Sequence, residues 1–325
     1  MKFRKLFLVY VLVSSASLSG VVARSMPRQR MAPSMPHRMF GKSNTVEFDL
    51  TYDFSVPGET HRMSFIVVLP KSIPNRQKIL SRSYSPKPSR IFNENGNRYA
   101  EFVFEKPQKH VEVKIRVKAK LFRYDLLTAR TKAREDIPED YQFADFLRHE
   151  RHIEKDDQQI QEITEGIESQ KEIDVVKNIY DYVLDNMEYV VRGRKDHGAV
   201  RALEQGRGDC TEYSDLFVAI CRAKNIPARV VSGYTVRADT ATSKHNWAEV
   251  YLKDYGWVPF DPSSGDIENV LIRGRAFSRM RPVYIYLSHI RNDQVLGYRN
   301  FGTYKYWGDR ITLTDSVEFR QSSLE

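Results

Sequence analysis

Cysteine is scarce in this chain: Cys210 and Cys221 are the two present in 325 residues. They stand eleven positions apart on one helical pattern, which puts their α-carbons about 16 Å apart at about 1.5 Å per residue. A disulfide tolerates less than about 7 Å, so the pair cannot bridge within one folded chain. Metal-ligand patterns are missing too. His149 and His152 in RHERH lack a third ligand at zinc spacing, and no run has the carboxylate pattern of an EF-hand loop. No metal or other cofactor is therefore expected. The apolar stretch LFLVYVLVSSASLSG, fifteen residues long, falls short of the roughly twenty that span a bilayer. Internal repeats are lacking, and so is a true excess of one charge. The formal charge is +9, but eight basic residues fall before Ser43, and without them 43 Lys and Arg face 42 Asp and Glu. Nucleic acid is thus not an expected partner.

The ends of the chain read differently from its middle. Lys2, Arg4 and Lys5 precede the apolar stretch, and VVA offers small residues for cleavage after Ala23, so residues 1–23 read as a secretory signal peptide, with a signal anchor as the alternative. Export to the periplasm or the extracellular space follows, with no membrane span after cleavage. No cysteine follows the cleavage region, which excludes a lipoprotein anchor. Residues 24–44, rich in Pro, Met and Arg, read as a basic flexible linker. From residue 45 to 135 the runs VEFDLTYDF, RMSFIVVLP, RIFNENGNRYAEFVF and VEVKIRVKAKLF alternate as strands, and an Asn-Gly pair marks a hairpin. They predict a β-sandwich. Between Pro138 and Asn186 the period becomes helical, with Ile160, Ile163 and Ile167 on one stripe and Ile173, Val176, Tyr180, Val183 and Met187 on another. The core containing these helices is expected over 136–265. RPVYIYLSHI and RITLTDSVEF then return to β patterns and are expected, within 266–325, to extend the core and finish its sheet.

The chemistry concentrates in three blocks. In GRGDCTEYSDLFVAICRAKNIPARVVSGY, Asp209 and Glu212 form a capping-box pattern and put Cys210 in the first helical position. A thiolate there meets unpaired backbone N–H groups and the positive end of the helix dipole. Gly206 and Gly208 let the preceding loop turn tightly. In HNWAEVYL the alternation places His245, Trp247, Glu249 and Tyr251 on one strand face and Ala248, Val250 and Leu252 on the other. KDYG then turns, and WVPFD returns. His245 and Asp261 differ by an even number of positions, so a hairpin centred near Lys253 sets them directly opposite on one face. A thiol nucleophile, an imidazole base and an orienting carboxylate result. Cys221 reads as packing beside Phe217.

These blocks, from about Ile173 to Gly265, resemble the transglutaminase-like superfamily, whose pattern is a Gly-x-Gly-x-Cys helix, an Ile-Pro-Ala-Arg strand, a His-x-Trp-x-Glu strand and a Trp-x-x-x-Asp-Pro close. The resemblance implies an α+β, papain-like core, a cysteine helix packed on an antiparallel sheet. It assigns the catalytic roles to Cys210, His245 and Asp261. It also implies a second oxyanion donor upstream of the nucleophile, for which Tyr189 is the nearest candidate. Asn246 departs from the pattern, since relatives often carry a small apolar residue there; its side chain is expected to point away from His245. The implied activity is cleavage of amide or peptide bonds through an acyl-enzyme, on a protein or peptide substrate such as a cell-envelope peptide. Two alternatives stay open: a protein-glutamine gamma-glutamyltransferase, and a noncatalytic binding module. Hydrolysis is favoured over cross-linking because the chain shows no calcium site or long regulatory insertions. Arg192, Lys195, Arg273 and Arg275 are available to a substrate carboxylate. Oligomeric state is not legible.

Overall fold

The computed structural model describes residues 41–129, 143–191, 196–236 and 244–324. The proposed signal peptide and nearly all of the linker lie outside the described residues, as do Arg192 and Lys195. Six strands open the described chain: β1 (Ser43–Ser55), β2 (Thr60–Leu69), β3 (Gln77–Ser85), β4 (Arg90–Glu94), β5 (Asn97–Glu105) and β6 (His110–Phe122). Alternation makes the packing visible in β6, where Val111, Val113, Ile115, Val117, Ala119 and Leu121 are buried and the intervening charged residues face outward. The Asn95–Gly96 turn joins β4 to β5 with positive φ at both residues, 48° and 77°, as a tight hairpin requires. β3 was not anticipated. Its sequence, QKILSRSYS, is mostly exposed and carries little apolar signal.

Helices follow: α1 (Gln158–Glu165), α2 (Glu172–Asn186), α3 (Ala199–Gln205) and α4 (Cys210–Ala223). Three strands come next, β7 (Ala228–Thr235), β8 (Lys244–Leu252) and β9 (Gly256–Phe260), then α5 (Val270–Ser278) and β10 (Tyr284–Ser288). The chain closes with β11 (Gly302–Gly308) and β12 (Thr312–Leu324). The predicted helical stripes hold. Ile160, Ile167, Val176, Tyr180, Val183 and Met187 are buried in one core with Phe217 and Ile220 of α4.

Pairing assigns the strands to three four-stranded antiparallel sheets, in the orders β12-β1-β6-β3, β11-β2-β5-β4 and β9-β8-β7-β10. The first two are the sandwich, and the third backs the cysteine helix. The C-terminal region therefore divides in a way the sequence did not indicate. β10 joins the third sheet as expected, beside β7. β11 and β12 instead pair with β2 and β1 of the sandwich, so the residues beyond 300 do not extend the core.

The two halves share β10. Tyr284 and Tyr286 are buried in the core around the cysteine helix, whereas Ile285 and Leu287 are buried in the sandwich core. Gln77, at the start of β3, fixes this wall. Its Nε2 donates to the Tyr286 carbonyl at 2.8 Å and to the Lys71 carbonyl at 2.7 Å, and its Oε1 accepts from the Tyr286 N–H at 2.9 Å. A side-chain amide thus supplies both bonds that a neighbouring strand would give the edge of the sheet. Gln77→Ala strands both Tyr286 backbone groups, and we expect it to lower stability by about 2–3 kcal/mol in urea unfolding. A loss below about 0.5 kcal/mol would show that this contact does not hold the halves together.

Candidate active site

Asp209 caps α4 as its sequence predicts. Its side chain accepts from the Thr211 N–H at 2.8 Å, and Glu212 reaches back to the Asp209 N–H at 3.0 Å. Gly208 makes room for that return, since a Cβ there would lie 2.4 Å from the Glu212 Cβ. Glu212 also accepts from the His197 N–H at 3.2 Å. Burial, and then the nearby Asp209 carboxylate, push its pKa up to about 7. Cys210 is partly exposed at the first helical position. From Thr211 to Arg222 every residue of the helix is buried, so the thiol is where the N-terminal end of this element meets solvent. Cys221 is a free thiol in the core, and burial raises its pKa; it is packing, as expected.

His245, Trp247 and Glu249 do share a face of β8. The His245 and Trp247 rings stack with centroids 6.1 Å apart, and Glu249 takes Arg229 at 2.6 Å. Glu249 is fully buried and also faces Arg76 at 3.4 Å and His289 at 3.3 Å. Burial opposes its charge, but these partners, Arg229 foremost, hold its carboxyl well below the usual range. The Arg229 guanidinium lies 3.9 Å from the Trp257 ring centroid, a cation–π contact that places the arginine of the Ile-Pro-Ala-Arg run. The hairpin register differs from the expected one. Ala248 pairs with Phe260 and Leu252 with Gly256, which shifts Asp261 from a position opposite His245 to one diagonal to it. Asp261 instead leaves the strand and caps the helical turn Pro262–Gly265.

From there Asp261 Oδ2 lies 2.6 Å from His245 Nε2, with both side chains buried. The same oxygen accepts from the Tyr284 hydroxyl at 2.7 Å and the Ser264 hydroxyl at 2.6 Å. Oδ1 takes the Ser263 hydroxyl at 2.9 Å and the Ser264 N–H at 3.0 Å. Tyr180 donates to the Asp261 backbone carbonyl at 3.2 Å. Burial works against both charges. The His245–Asp261 attraction overrides it, lowering the carboxyl far below its usual range and, together with the Cys210 sulfur, raising His245 to about 10. The Cys210 sulfur lies near enough to His245 to act on its charge. Nε2 is committed to Asp261, which leaves Nδ1 as the nitrogen for the sulfur side. An imidazole held in this way can exchange a proton with the sulfur on one side while a fixed carboxylate stabilises its charged form on the other.

Asn246 points to the opposite face from His245, as expected, and donates to the Thr211 hydroxyl at 2.9 Å, which ties the histidine strand to the start of α4. Tyr189 is half-buried in the short strand Glu188–Tyr189, paired with Arg207–Gly208, and its ring centroid lies 6.1 Å from that of Tyr213. It therefore flanks the loop leading to Cys210. Arg273 is engaged by Asp185 at 2.6 Å and is not free for a substrate. Among the described residues no group of three His, Cys, Asp or Glu side chains is arranged to hold a metal. Sequence reasoning missed Tyr284, Ser263 and Ser264. The serines were legible as a Ser-Ser pair directly after Asp-Pro, at helix-capping distance; Tyr284 carried no local signal.

Residues 157–262 match the model of the transglutaminase-like superfamily. YebA of Bacillus subtilis strain 168, an uncharacterized protein, is 30% identical over 101 residues, a stretch that makes up 27% of this chain and only 14% of YebA. An uncharacterized protein of Haemophilus influenzae is 27% identical over 340 residues, covering 84% of this chain and 89% of its own. Among solved structures, a candidate cysteine protease from Cytophaga hutchinsonii shares the fold with a TM-score of 0.56 at 16% identity, across 86% of this chain and 97% of that one. The α+β papain-like architecture is thereby shown. No helix among the described residues is long and apolar enough to cross a membrane.

Two measurements bear on the geometry. Iodoacetamide at about pH 5.5 should alkylate Cys210 at least about 100-fold faster than Cys221, and His245→Ala should abolish the difference, since an unpaired thiol is largely protonated there. Equal rates by peptide mass spectrometry would remove the ion-pair reading. The His245–Asp261 pair should also leave a mark on stability. A raised histidine pKa stabilises fully below about pH 6.5 and loses its effect as the pH climbs towards about 10. A lowered aspartate pKa stabilises fully above about pH 4 and loses its effect at lower pH. Asp261→Asn should therefore cost most, about 3 kcal/mol, between about pH 4 and 6.5, and unfolding curves at several pH values will read this.

Proposed function

We propose that this chain is an exported thiol hydrolase that cleaves amide or peptide bonds through an acyl-enzyme, with Cys210 as nucleophile, His245 as acid and base, and Asp261 as the carboxylate that orients the histidine. One observation carries the reading: the Asp261 carboxylate holds His245 at 2.6 Å, and the sulfur that acts on the same ring stands at a capped helix start. The Cys210 sulfur attacks the carbonyl carbon and forms a C–S bond, and the carbonyl π electrons move to oxygen. The oxyanion is met in part by the Cys210 N–H, one of the unpaired donors of the first helical turn. Its collapse breaks the C–N bond as the imidazolium gives its proton to the leaving nitrogen. Water then attacks the thioester, losing a proton to His245, and the sulfur departs as thiolate.

Tyr189, beside the Gly208 backbone, is our candidate for the second oxyanion donor. A protein or peptide of the cell envelope is the proposed substrate, in keeping with the leader read at residues 1–23 and with the cysteine-protease name of the Cytophaga structure. A primary amine in place of water would make the same acyl-enzyme a transamidase. Purified protein should be mixed with an envelope extract, acid-quenched during turnover and analysed by mass spectrometry. We expect an acyl adduct on the Cys210 peptide, lost in Cys210→Ala, and a fluorescent primary amine competing poorly with water for it. Preferential amine incorporation would make the chain a transferase; the absence of any adduct, with no turnover above that of Cys210→Ala, would make it a binding module.

A further inference from the structure

We propose that Tyr284 is a positioning residue of the Cys210–His245–Asp261 site: it fixes the rotation of the Asp261 carboxylate, and the β-sandwich holds Tyr284 in place to do so. The inference rests on the thiol-enzyme reading above and assigns the N-terminal half a part in it. Tyr284 lies outside the segment that matches the superfamily model, and three observations single it out. Its hydroxyl donates to Asp261 Oδ2 at 2.7 Å, the same oxygen that His245 Nε2 approaches at 2.6 Å. Its ring packs with centroids 6.0 Å from His245 and 5.2 Å from Trp247, so it braces both partners of the pair. Its strand is not free to move, because Ile285 and Leu287 are buried in the sandwich core and Gln77 bonds the Tyr286 backbone on both its N–H and C=O.

A carboxylate has two oxygens and one soft torsion, so the donors around it decide which oxygen the histidine meets. Ser263 and the Ser264 N–H occupy Oδ1; Tyr284 and the Ser264 hydroxyl hold Oδ2 against His245. The serines sit on the same turn as Asp261 and move with it. Tyr284 reaches in from another strand and ties the carboxylate to the rest of the fold. The other titratable groups around Asp261 are Tyr180 from α2, whose hydroxyl goes to the backbone carbonyl, Cys210 beyond His245, and Asp266 one turn on, which accepts from Tyr213 of α4. Arg281, on the approach to β10, lies close enough to influence Tyr284. None of these donates to Oδ2.

Loss of the Tyr284 hydroxyl should loosen the orientation of Asp261 and remove one donor from its ionised form. Both changes make the carboxylate easier to protonate and the imidazolium less well supported. The test is the pH profile of Cys210 alkylation by iodoacetamide, followed by peptide mass spectrometry. In Tyr284→Phe the acid limb should move up by about 0.5 to 1 unit, a rate about 3- to 10-fold lower at pH 5, with the rate at pH 8 within about twofold of the wild type. In an Asp261→Asn background, Tyr284→Phe should change the profile by less than about 1.5-fold, since the group it positions is gone. A merely structural tyrosine would lower the rate equally at both pH values, or in both backgrounds, and that result overturns the proposal. Should Tyr284→Phe fail to fold, Tyr284→Met, which fills the same space without a donor, is expected to show the same shift. If wild type and Asp261→Asn differ while Tyr284→Phe matches wild type, the positioning role alone fails. If wild type and Asp261→Asn share one ordinary thiol profile, the thiol-enzyme reading fails with it.

Discussion

Everything at the candidate site depends on keeping a carboxylate ionised inside the protein. An ionised group removed from water is tolerated only when opposite charge and hydrogen-bond donors replace its hydration. Asp261 receives those from His245, Tyr284, Ser263 and Ser264. They come from β8, from β10 and from the turn that Asp261 itself caps, so three segments of the chain must converge before the charge is compensated. The requirement runs outward as well. The imidazole is charged readily because the carboxylate beside it is fixed, and in the proposed mechanism that fixed imidazole is what would take a proton from the Cys210 sulfur.

The same logic recurs in two further buried clusters. Glu249 is surrounded by Arg229, Arg76 and His289, and Asp215 on α4 meets Arg291 through two contacts of 2.8 and 3.0 Å. Asp215 is pushed up to about 6 by burial, against the pull of Arg291. Such pairs add little stability over a well-packed apolar filling, but a misplaced partner leaves an uncompensated charge. Each bridges elements distant in sequence: Arg76 belongs to the sandwich side, Glu249 to the histidine strand, Arg291 to the segment after β10 and Asp215 to the cysteine helix. They fix the relative setting of layers that apolar contacts alone would let slide.

What the sequence disclosed and what it withheld divide by the range of the interaction. The capping box at Asp209 and Glu212 was legible because its bonds span three residues, and the shared face of His245, Trp247 and Glu249 because strand side chains alternate with period two. The His245–Asp261 hairpin was legible in parity but not in register. The turn closes on Leu252 and Gly256, with Gly256 at φ 70°, and that closing pair depends on turn geometry which the residues around Lys253 do not specify uniquely. β3 escaped because it is held by backbone pairing with β6 and its side chains are largely exposed. The return of β11 and β12 to the sandwich, and the donation from Tyr284 to Asp261, are contacts between residues far apart in the chain. Nothing in the local pattern of either partner announces the other.

The pairing of β12 with β1 has a consequence for how the molecule comes into being. A ribosome delivers residues in order, so β1 emerges with one edge unpaired and waits through the synthesis of more than two hundred residues for the strand that covers it. The sandwich that steadies the wall carrying Tyr284 is finished by a strand that follows Cys210, His245 and Asp261 in the chain. A chain interrupted before β12 would therefore hold the thiol, the imidazole and the carboxylate without the covered edge that completes the frame around them.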